Sequence, residues 1–350
     1  MVVYILTENI MVGMSGGVDS SVAALLLKNM GYSVLGATLF LCGNNDEKNA
    51  ADALSVCEKL GIEHCTFDLK SEFSDLVVAD FINEYKKGNT PNPCIVCNRC
   101  IKFGKMLELA TQNGCEKIAT GHYARIEKTA DGRYLLLKAK DESKDQSYVL
   151  YMLTQNELSR VVLPLGDLSK PQIREIALQN GLVCADRPDS QDICFVPDGD
   201  YAEFIEEKEM KKYPEGYYVD INGNILGKHK GVIRYTLGQR KGLGIALGKP
   251  QFVIEKNAVE NLVVLGDEEL LFKDTVKVKD VNFIPFDKLE GEMRVTAKLR
   301  YRHSAEPAVI FMSGENEVTI KFDKPQRAPS AGQAAVFYDG DIVVGGGTII

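Results

Sequence analysis

The stretch Gly13-Met14-Ser15-Gly16-Gly17-Val18-Asp19-Ser20-Ser21 constrains this chain more than any other, because it joins two different periodicities. Residues 10–14 form an apolar run of strand length, and residues 20–30 carry helical spacing closed by Gly31. A strand that turns through glycines into a helix aims backbone N–H groups and the positive helix end at one point, which suits an anion such as phosphate. Gly16 and Gly17 let the backbone approach closely. Ser15, Ser20 and Ser21 add hydroxyls, and Asp19 is placed to help hold Mg²⁺ beside phosphates. No lysine follows the glycines as in the GxxxxGK[ST] loop, and the spacing is not the GxGxxG fingerprint.

Further along, the sequence predicts a strand over 33–38, a helix over 49–60 stopped by Gly61, a strand over 63–67 and helix to about Lys87. A proline-rich loop, a helix over 99–112 and a strand over 117–120 follow. Strands alternating with helices of this length imply an α/β fold with a doubly wound parallel sheet. Residues 124–126 and 134–138 flank Asp131-Gly132 as a β-hairpin, Ser169, Pro171 and Gly181 bracket a helix, and 185–200 reads as a loop. From Gly216 onward, short β-rich runs are punctuated by Asn222-Gly223, Ser313-Gly314 and Asp339-Gly340, which predicts a small C-terminal β-barrel. The expected domains are 1–200, 201–265 as a small central domain, and 266–350 as the barrel. Gly244 and Gly248 in GLGIALG follow no βαβ signal and are given no nucleotide role.

No stretch approaches the roughly 20 apolar residues of a membrane span, and the N-terminus has no signal-type pattern, so a cytoplasmic protein is expected. The net charge of -8 excludes indiscriminate coating of nucleic acid. Local basic patches remain: Lys86, Lys87, Arg99, Lys102 and Lys105 in one, and Lys228, Lys230, Arg234, Arg240, Lys241 and Lys249 in another. Each patch reads equally well as a solvated face.

Nine cysteines are too few and too scattered for a disulfide scaffold, which directs attention to catalysis or metal binding. Cys94, Cys97 and Cys100 recur every third residue in the proline loop, where Arg99 and Lys102 would favour thiolate. Cys194 lies in the acidic segment DSQDICFVPDGD, which disfavours it. These four thiols can be ligands of zinc or an iron–sulfur cluster, Cys97 and Cys194 can be a redox pair passing a persulfide, or all can be small buried hydrophobes. Burial is the reading for Cys42, Cys57, Cys65, Cys115 and Cys184.

The glycine loop resembles the PP-loop, SGGxDS, of the adenine nucleotide alpha hydrolase-like ATP pyrophosphatases. Taken with GNTPNPCIVCN, ATGHYAR, KDQSYVL, SQDICF, YTLGQRKGLG, LRYRH and AGQAAVFY in order over nearly the whole chain, the sequence resembles the tRNA-specific 2-thiouridylases. The resemblance implies that Gly13, Met14, Ser15, Gly16, Gly17, Val18, Asp19 and Ser20, with Leu39 and Gly121, bind ATP. It implies Cys97 as nucleophile and Cys194 as persulfide carrier, the two closing a transient disulfide. Asn92, Pro93 and Cys94 would face the target base, while His122, Lys144, Asp145, Gln146, Arg300, Tyr301 and Gln333 would touch tRNA. Some members carry Asp where this chain has Cys94, so the proton carrier stays unassigned. The implied reaction adenylates the 2-oxygen of a wobble uridine and replaces it with sulfur. The implied partners are the Lys, Glu and Gln isoacceptors of tRNA and a cysteine desulfurase or relay protein.

Overall fold

The computed structural model describes residues 8–42, 45–182, 193–196 and 199–350. The loop expected over 185–200 and the burial expected for Cys184 therefore fall largely outside the described residues. Strands and helices alternate at the start: β1 (Asn9–Gly13), α1 (Val18–Asn29), β2 (Ser33–Phe40), α2 (Asp46–Leu60) and β3 (Glu63–Asp68). Next come α3 (Lys70–Phe73), a π-helical turn over Ser74–Val78, α4 (Ala79–Lys86), α5 (Pro93–Cys97), a π-helical segment over Asn98–Lys105 and α6 (Met106–Gln112). β4 (Lys117–Ala119), β5 (Ala124–Lys128), β6 (Tyr134–Lys138), α7 (Gln155–Arg160), β7 (Val161–Val162), α8 (Lys170–Gln179) and α9 (Tyr201–Lys208) follow. The rest is β-rich: β8 (Gly216–Val219), β9 (Ile225–His229), β10 (Phe252–Asn257), β11 (Leu262–Gly266), β12 (Phe272–Phe283), β13 (Glu292–Lys298), β14 (Glu306–Gly314), β15 (Glu317–Arg327), β16 (Ala334–Asp339) and β17 (Ile342–Ile349).

The chain divides into two units, one of Met1–Val77, Cys94–Phe195 and Asp341–Val344, the other of Val78–Pro93, Val196–Gly340 and Gly345–Ile350. In the first, a parallel sheet runs in the order β3-β2-β1-β4-β7. β1 is central, and Ile10, Met11 and Val12 have no exposure, as expected of a strand covered on both faces. α1 and α8 share one apolar core in which Val22, Leu27, Ile173 and Ala177 are fully buried, each large side chain contributing roughly 2 kcal/mol. α8 begins where the sequence placed it: Ser169 N–H donates to the Gln172 side chain at 2.8 Å, and Pro171 occupies the first turn. α2 lies on β2 only because Gly36 has no side chain, since a Cβ there would stand 2.6 Å from Cys57 Sγ. The doubly wound α/β sheet and the β5–β6 hairpin are as the sequence predicts.

The proline-rich segment is not a loop up to Cys100: helix begins at Pro93, so the three thiols ride on α5 and the π-helical segment after it. Proline tolerates the first helical position because the N–H it lacks would have no intrahelical partner there, so Pro93 opens the helix instead of blocking it. The widened turn depends on Gly104, where a Cβ would stand 2.9 Å from Arg99 O.

In the second unit, β10-β11-β8-β9 form a small mixed sheet in which only the β8–β11 pairing is parallel. α9, whose acid-rich sequence shows little apolar period, is fixed at its start by Asp200 accepting from Glu203 N–H at 2.9 Å. The final six strands run β12-β15-β14-β13-β16-β17 and close through β12–β17, which is the expected C-terminal β-barrel. Its interior holds Val278, Ile310, Ile320 and Phe337, all without exposure. Closure requires Gly345, since a Cβ there would stand 2.2 Å from Asn282 O.

Candidate active site

β1 pairs with β2 on one side and β4 on the other, so the connections diverge at the carboxyl ends of β1 and β4. Ligands of open α/β sheets bind at such a switch point. The glycine loop leaves β1 here and reaches α1, whose N-cap is Gly17, and Gly16 takes a positive φ of 70°. The loop is tied to β2: Met14 N–H donates to Ala37 O at 2.7 Å and Thr38 Oγ1 donates to Met14 O at 2.9 Å. Ser20 and Ser21 hydroxyls both donate to Gly17 O, at 3.1 and 2.8 Å, and shape the turn, leaving Ser15 as the exposed hydroxyl of the three. Gly121, just beyond β4, fits against the start of α1 so closely that a Cβ would lie 2.9 Å from Asp19 C and from Ser20 N. Leu39, near the end of β2, is partly exposed. A loop of close-set N–H groups at the head of a twelve-residue helix fits the phosphates of ATP.

Asp19 is not an isolated carboxylate. Lys170 Nζ donates to Oδ1 and Oδ2 at 2.8 Å each, and the Tyr123 hydroxyl donates to Oδ1 at 2.6 Å. Lys170 is only 7% exposed, and its backbone N–H is held by Asp141 Oδ2 at 3.1 Å. Neither Lys170 nor Tyr123 was singled out in the sequence, where a lysine in a Ser-Lys-Pro helix start carries no sign of a partner 151 residues away.

The thiols reverse the expectation drawn from flanking charge. Cys97 is buried, and desolvation pushes its thiol up to about 11 despite the opposing field of Lys102. Cys94 is exposed, and desolvation still raises its thiol against Lys102. Cys194, expected to be disfavoured as a thiolate, is brought down to about 7 by a hydrogen bond from Cys42, with Lys102 assisting and desolvation and Asp46 opposing. The two sulfurs lie 3.8 Å apart. Cys42 is thus not the buried hydrophobe expected: it is half-exposed just past β2, and its thiol is held strongly protonated as the donor to Cys194. Cys57 and Cys115 are buried as expected, and Cys65 is half-exposed. Phe195 packs edge-on against Phe73, ring centroids 5.7 Å apart, and anchors the Cys194 segment. Among the described residues no group of three His, Cys, Asp or Glu is arranged to hold a metal, so no chemistry is derived through zinc or an iron–sulfur cluster.

Three family models match the chain: "tRNA methyl transferase HUP domain" over residues 8–198, "tRNA methyl transferase PRC-barrel domain" over 202–267 and "Aminomethyltransferase beta-barrel domain" over 273–349. A protein of Clostridioides difficile named tRNA-specific 2-thiouridylase MnmA is 50% identical over 98% of this chain and 98% of its own length. One of the same name from Acetivibrio thermocellus is 50% identical over 98% of this chain and 99% of its own. The chain belongs to the tRNA-specific 2-thiouridylase family. Among solved structures, NMN synthetase from Francisella tularensis is similar at 18% identity with a TM-score of 0.34, covering 60% of this chain and 80% of that one.

For this thiouridylase family member, the residues expected at RNA sit in varied settings. His122 is buried, its Nδ1 2.8 Å from Thr120 Oγ1, and desolvation keeps the ring well below its ordinary pKa and hence neutral. Asp145 accepts from Ala139 N–H and Ser147 N–H at 3.0 and 3.1 Å, and Gln146 Oε1 accepts from Tyr123 N–H at 2.9 Å, so both brace their own segment. Lys144 is half-exposed beside them. In the second unit, Arg300 donates to Ala328 O at 3.0 Å and Ser330 Oγ at 2.7 Å. Gln333 donates to Thr90 O at 2.6 Å and thereby fixes the segment that leads to Asn92 and Pro93. Tyr301 is exposed, with Lys298 over its ring.

Proposed function

We propose that this protein is a tRNA-uridine 2-sulfurtransferase that uses ATP to activate the 2-oxygen of a wobble uridine and replaces that oxygen with sulfur from a cysteine persulfide. The observation that carries the reading is that one unit holds both the glycine loop at the head of α1 and two thiols in unlike settings, Cys194 exposed with a Cys42 hydrogen bond that holds it low and Cys97 buried and held high. The names borne by relatives 50% identical over nearly the full chain support it.

The 2-carbonyl of uracil belongs to a urea-like system whose oxygen leaves poorly, and adenylation converts that oxygen into part of AMP. The loop from Gly13 to Ser20 holds the ATP phosphates, with Leu39 and Gly121 bordering the nucleotide, and Mg²⁺ supplies charge neutralisation there. Cys194, substantially thiolate near neutral pH, takes sulfane sulfur from a cysteine desulfurase or relay protein. The loaded sulfur attacks the 2-carbon of the adenylated base, or is released to it as sulfide by Cys97. AMP departs with the oxygen; where the loaded sulfur has attacked directly, Cys97 then attacks Cys194 Sγ, the bond from Cys194 to the transferred sulfur breaks and the base keeps that sulfur, so that by either route Cys97 and Cys194 finish as a disulfide that a cellular reductant reopens. Asn92, Pro93 and Cys94 face the extruded base, while His122, Lys144, Asp145, Gln146, Arg300, Tyr301 and Gln333 position tRNA of the Lys, Glu and Gln isoacceptors. The reaction takes place in the cytoplasm, where these tRNAs and thiol reductants occur.

The test is sulfur incorporation into an unmodified tRNA transcript with ATP-Mg²⁺ and a persulfide source under anaerobic conditions, comparing wild type with Cys97→Ser and Cys194→Ser. 2-Thiouridine that appears only with ATP and only in the wild type is the expected result. AMP formation on another acceptor with no thiolated tRNA would leave the nucleotide site standing and remove the sulfur-transfer reading.

A further inference from the structure

Cys42 belongs to none of the motifs that mark the family, yet it is the thiol in contact with Cys194. Its Sγ donates a hydrogen bond to Cys194 Sγ at 3.8 Å. Both residues lie in the first unit, Cys42 two residues beyond the carboxyl end of β2 and Cys194 on a segment anchored by Phe195 on Phe73. Cys42 is half-exposed and Cys194 exposed, so neither sulfur is sealed in the core. A disulfide needs its sulfurs at about 2.05 Å, so closure asks for an approach of roughly 1.8 Å, within reach of side-chain rotation. Among the described residues, Lys102 and Asp46 exert opposing fields on Cys194, and Asp46 and Cys97 act on Cys42.

We propose that Cys42 is a second resolving thiol for the persulfide on Cys194, an inference that rests on the sulfur-transfer reading above. The Cys42 sulfur attacks the inner sulfur of the Cys194 persulfide. A Cys42–Cys194 bond forms, the bond to the terminal sulfur breaks, and that sulfur leaves as hydrosulfide with the proton Cys42 carried. The sulfane sulfur is reduced to sulfide while the two cysteine sulfurs end as a disulfide, so no outside oxidant is needed. Cys97 serves the step that delivers sulfur to the base, whereas Cys42 discharges a persulfide that has met no activated uridine. The result is a built-in drain for idle sulfur. It returns the enzyme to a disulfide state that the same reductant resets.

The experiment uses the full-length chain without tRNA or reductant, loaded anaerobically with glutathione persulfide and freed of excess. Wild type, Cys97→Ser, Cys97→Ser/Cys42→Ser and Cys97→Ser/Cys42→Ala are followed by sulfide release and by non-reducing peptide mass spectrometry. Cys97→Ser is expected to release sulfide and yield a peptide pair linked through Cys42 and Cys194. Both double variants are expected to keep the extra sulfur on Cys194 and release sulfide at least about tenfold more slowly. Equal release from Cys97→Ser and the double variants, or a linkage from Cys194 to Cys94 or Cys100, would overturn the role of Cys42 and leave the sulfurtransferase reading intact. Absence of added sulfur on Cys194 in both double variants, with no sulfide released from any protein, would overturn both.

Discussion

Replacing Cys42 with alanine removes the hydrogen bond that is the largest cause of the low pKa of Cys194, without touching Lys102. What remains is a thiol raised by desolvation and by Asp46 and lowered by Lys102 and a backbone hydrogen bond, with desolvation the largest of these, so it should return toward its ordinary 9.0 from about 7. At pH 7 a thiol of pKa about 7 is about half thiolate, and one at 9.0 is roughly 1% thiolate, a ~50-fold loss of the reactive form. The more basic thiolate is also the better nucleophile. Over two units, a Brønsted slope of ~0.4–0.5 returns ~6–10-fold. The two effects leave Cys194 alkylation in Cys42→Ala slower by about 5–8-fold at pH 7, and faster than wild type by about 6–10-fold above pH 10. The assay is the rate of iodoacetamide labelling at the Cys194 peptide, read by mass spectrometry from about pH 5 to about pH 10.5. The curves should cross near pH 8 to 9, a signature that simple loosening of the segment cannot produce, since loosening raises the rate at every pH. Superimposable profiles would refute the assignment of the low pKa to Cys42.

Lys170→Met should leave Asp19 with the Tyr123 hydroxyl and no counter-charge, destabilising by about 2 kcal/mol, less than the ~3–5 of a fully enclosed pair because the Asp19 side chain is 29% exposed; the urea midpoint checks it. Gly121→Ala places a Cβ 2.9 Å from the Asp19 and Ser20 backbone at the mouth of the nucleotide site, and about 1–3 kcal/mol of overpacking should appear as a roughly 5–150-fold fall in ATP-dependent pyrophosphate release. Asn98→Ala strips Val149 O of the Nδ2 donor it holds at 3.1 Å in a buried setting, at a cost of about 1–3 kcal/mol in denaturant unfolding.

The sheet unit was legible because each signal was local: an apolar run, a glycine turn, a cap. The glycine loop, the hairpin at Asp131-Gly132 and the Ser169–Pro171 helix start were all readable from a few neighbouring residues. The start of α5 is not legible from Pro91 and Pro93 alone, because proline breaks a helix interior yet suits the first helical position, which Pro93 occupies. The Lys170–Asp19 pair and the Cys42–Cys194 contact span 151 and 152 residues of sequence, and no periodicity encodes a partner at that range. A hint for Cys42 did exist, since it follows the end of a parallel strand, where sites of α/β sheets gather.

The thiol assignments show why flanking charge is a poor guide. Arg99 and Lys102 lie near Cys97 in sequence, but Arg99 is exposed, and the field of Lys102 is outweighed by burial. The same Lys102 reaches Cys194, where the largest effect is one hydrogen bond from Cys42, a residue 152 positions away in sequence. At pH 7 a thiol at about 11 is thiolate in roughly one molecule in ten thousand, against about half for one at about 7. A persulfide donor offered both sulfurs therefore loads Cys194 and leaves Cys97 a protonated bystander. That ordering keeps loading and delivery apart, since a Cys97 as reactive as Cys194 would take sulfur itself. Burial of Cys97 thus acts as a timing element. If substrate binding brings it closer to Lys102 or opens it to water, its thiol falls and resolution begins; single-turnover rates of disulfide formation that rise on adding tRNA and ATP are the expected mark, and rates indifferent to both would remove burial from the mechanism.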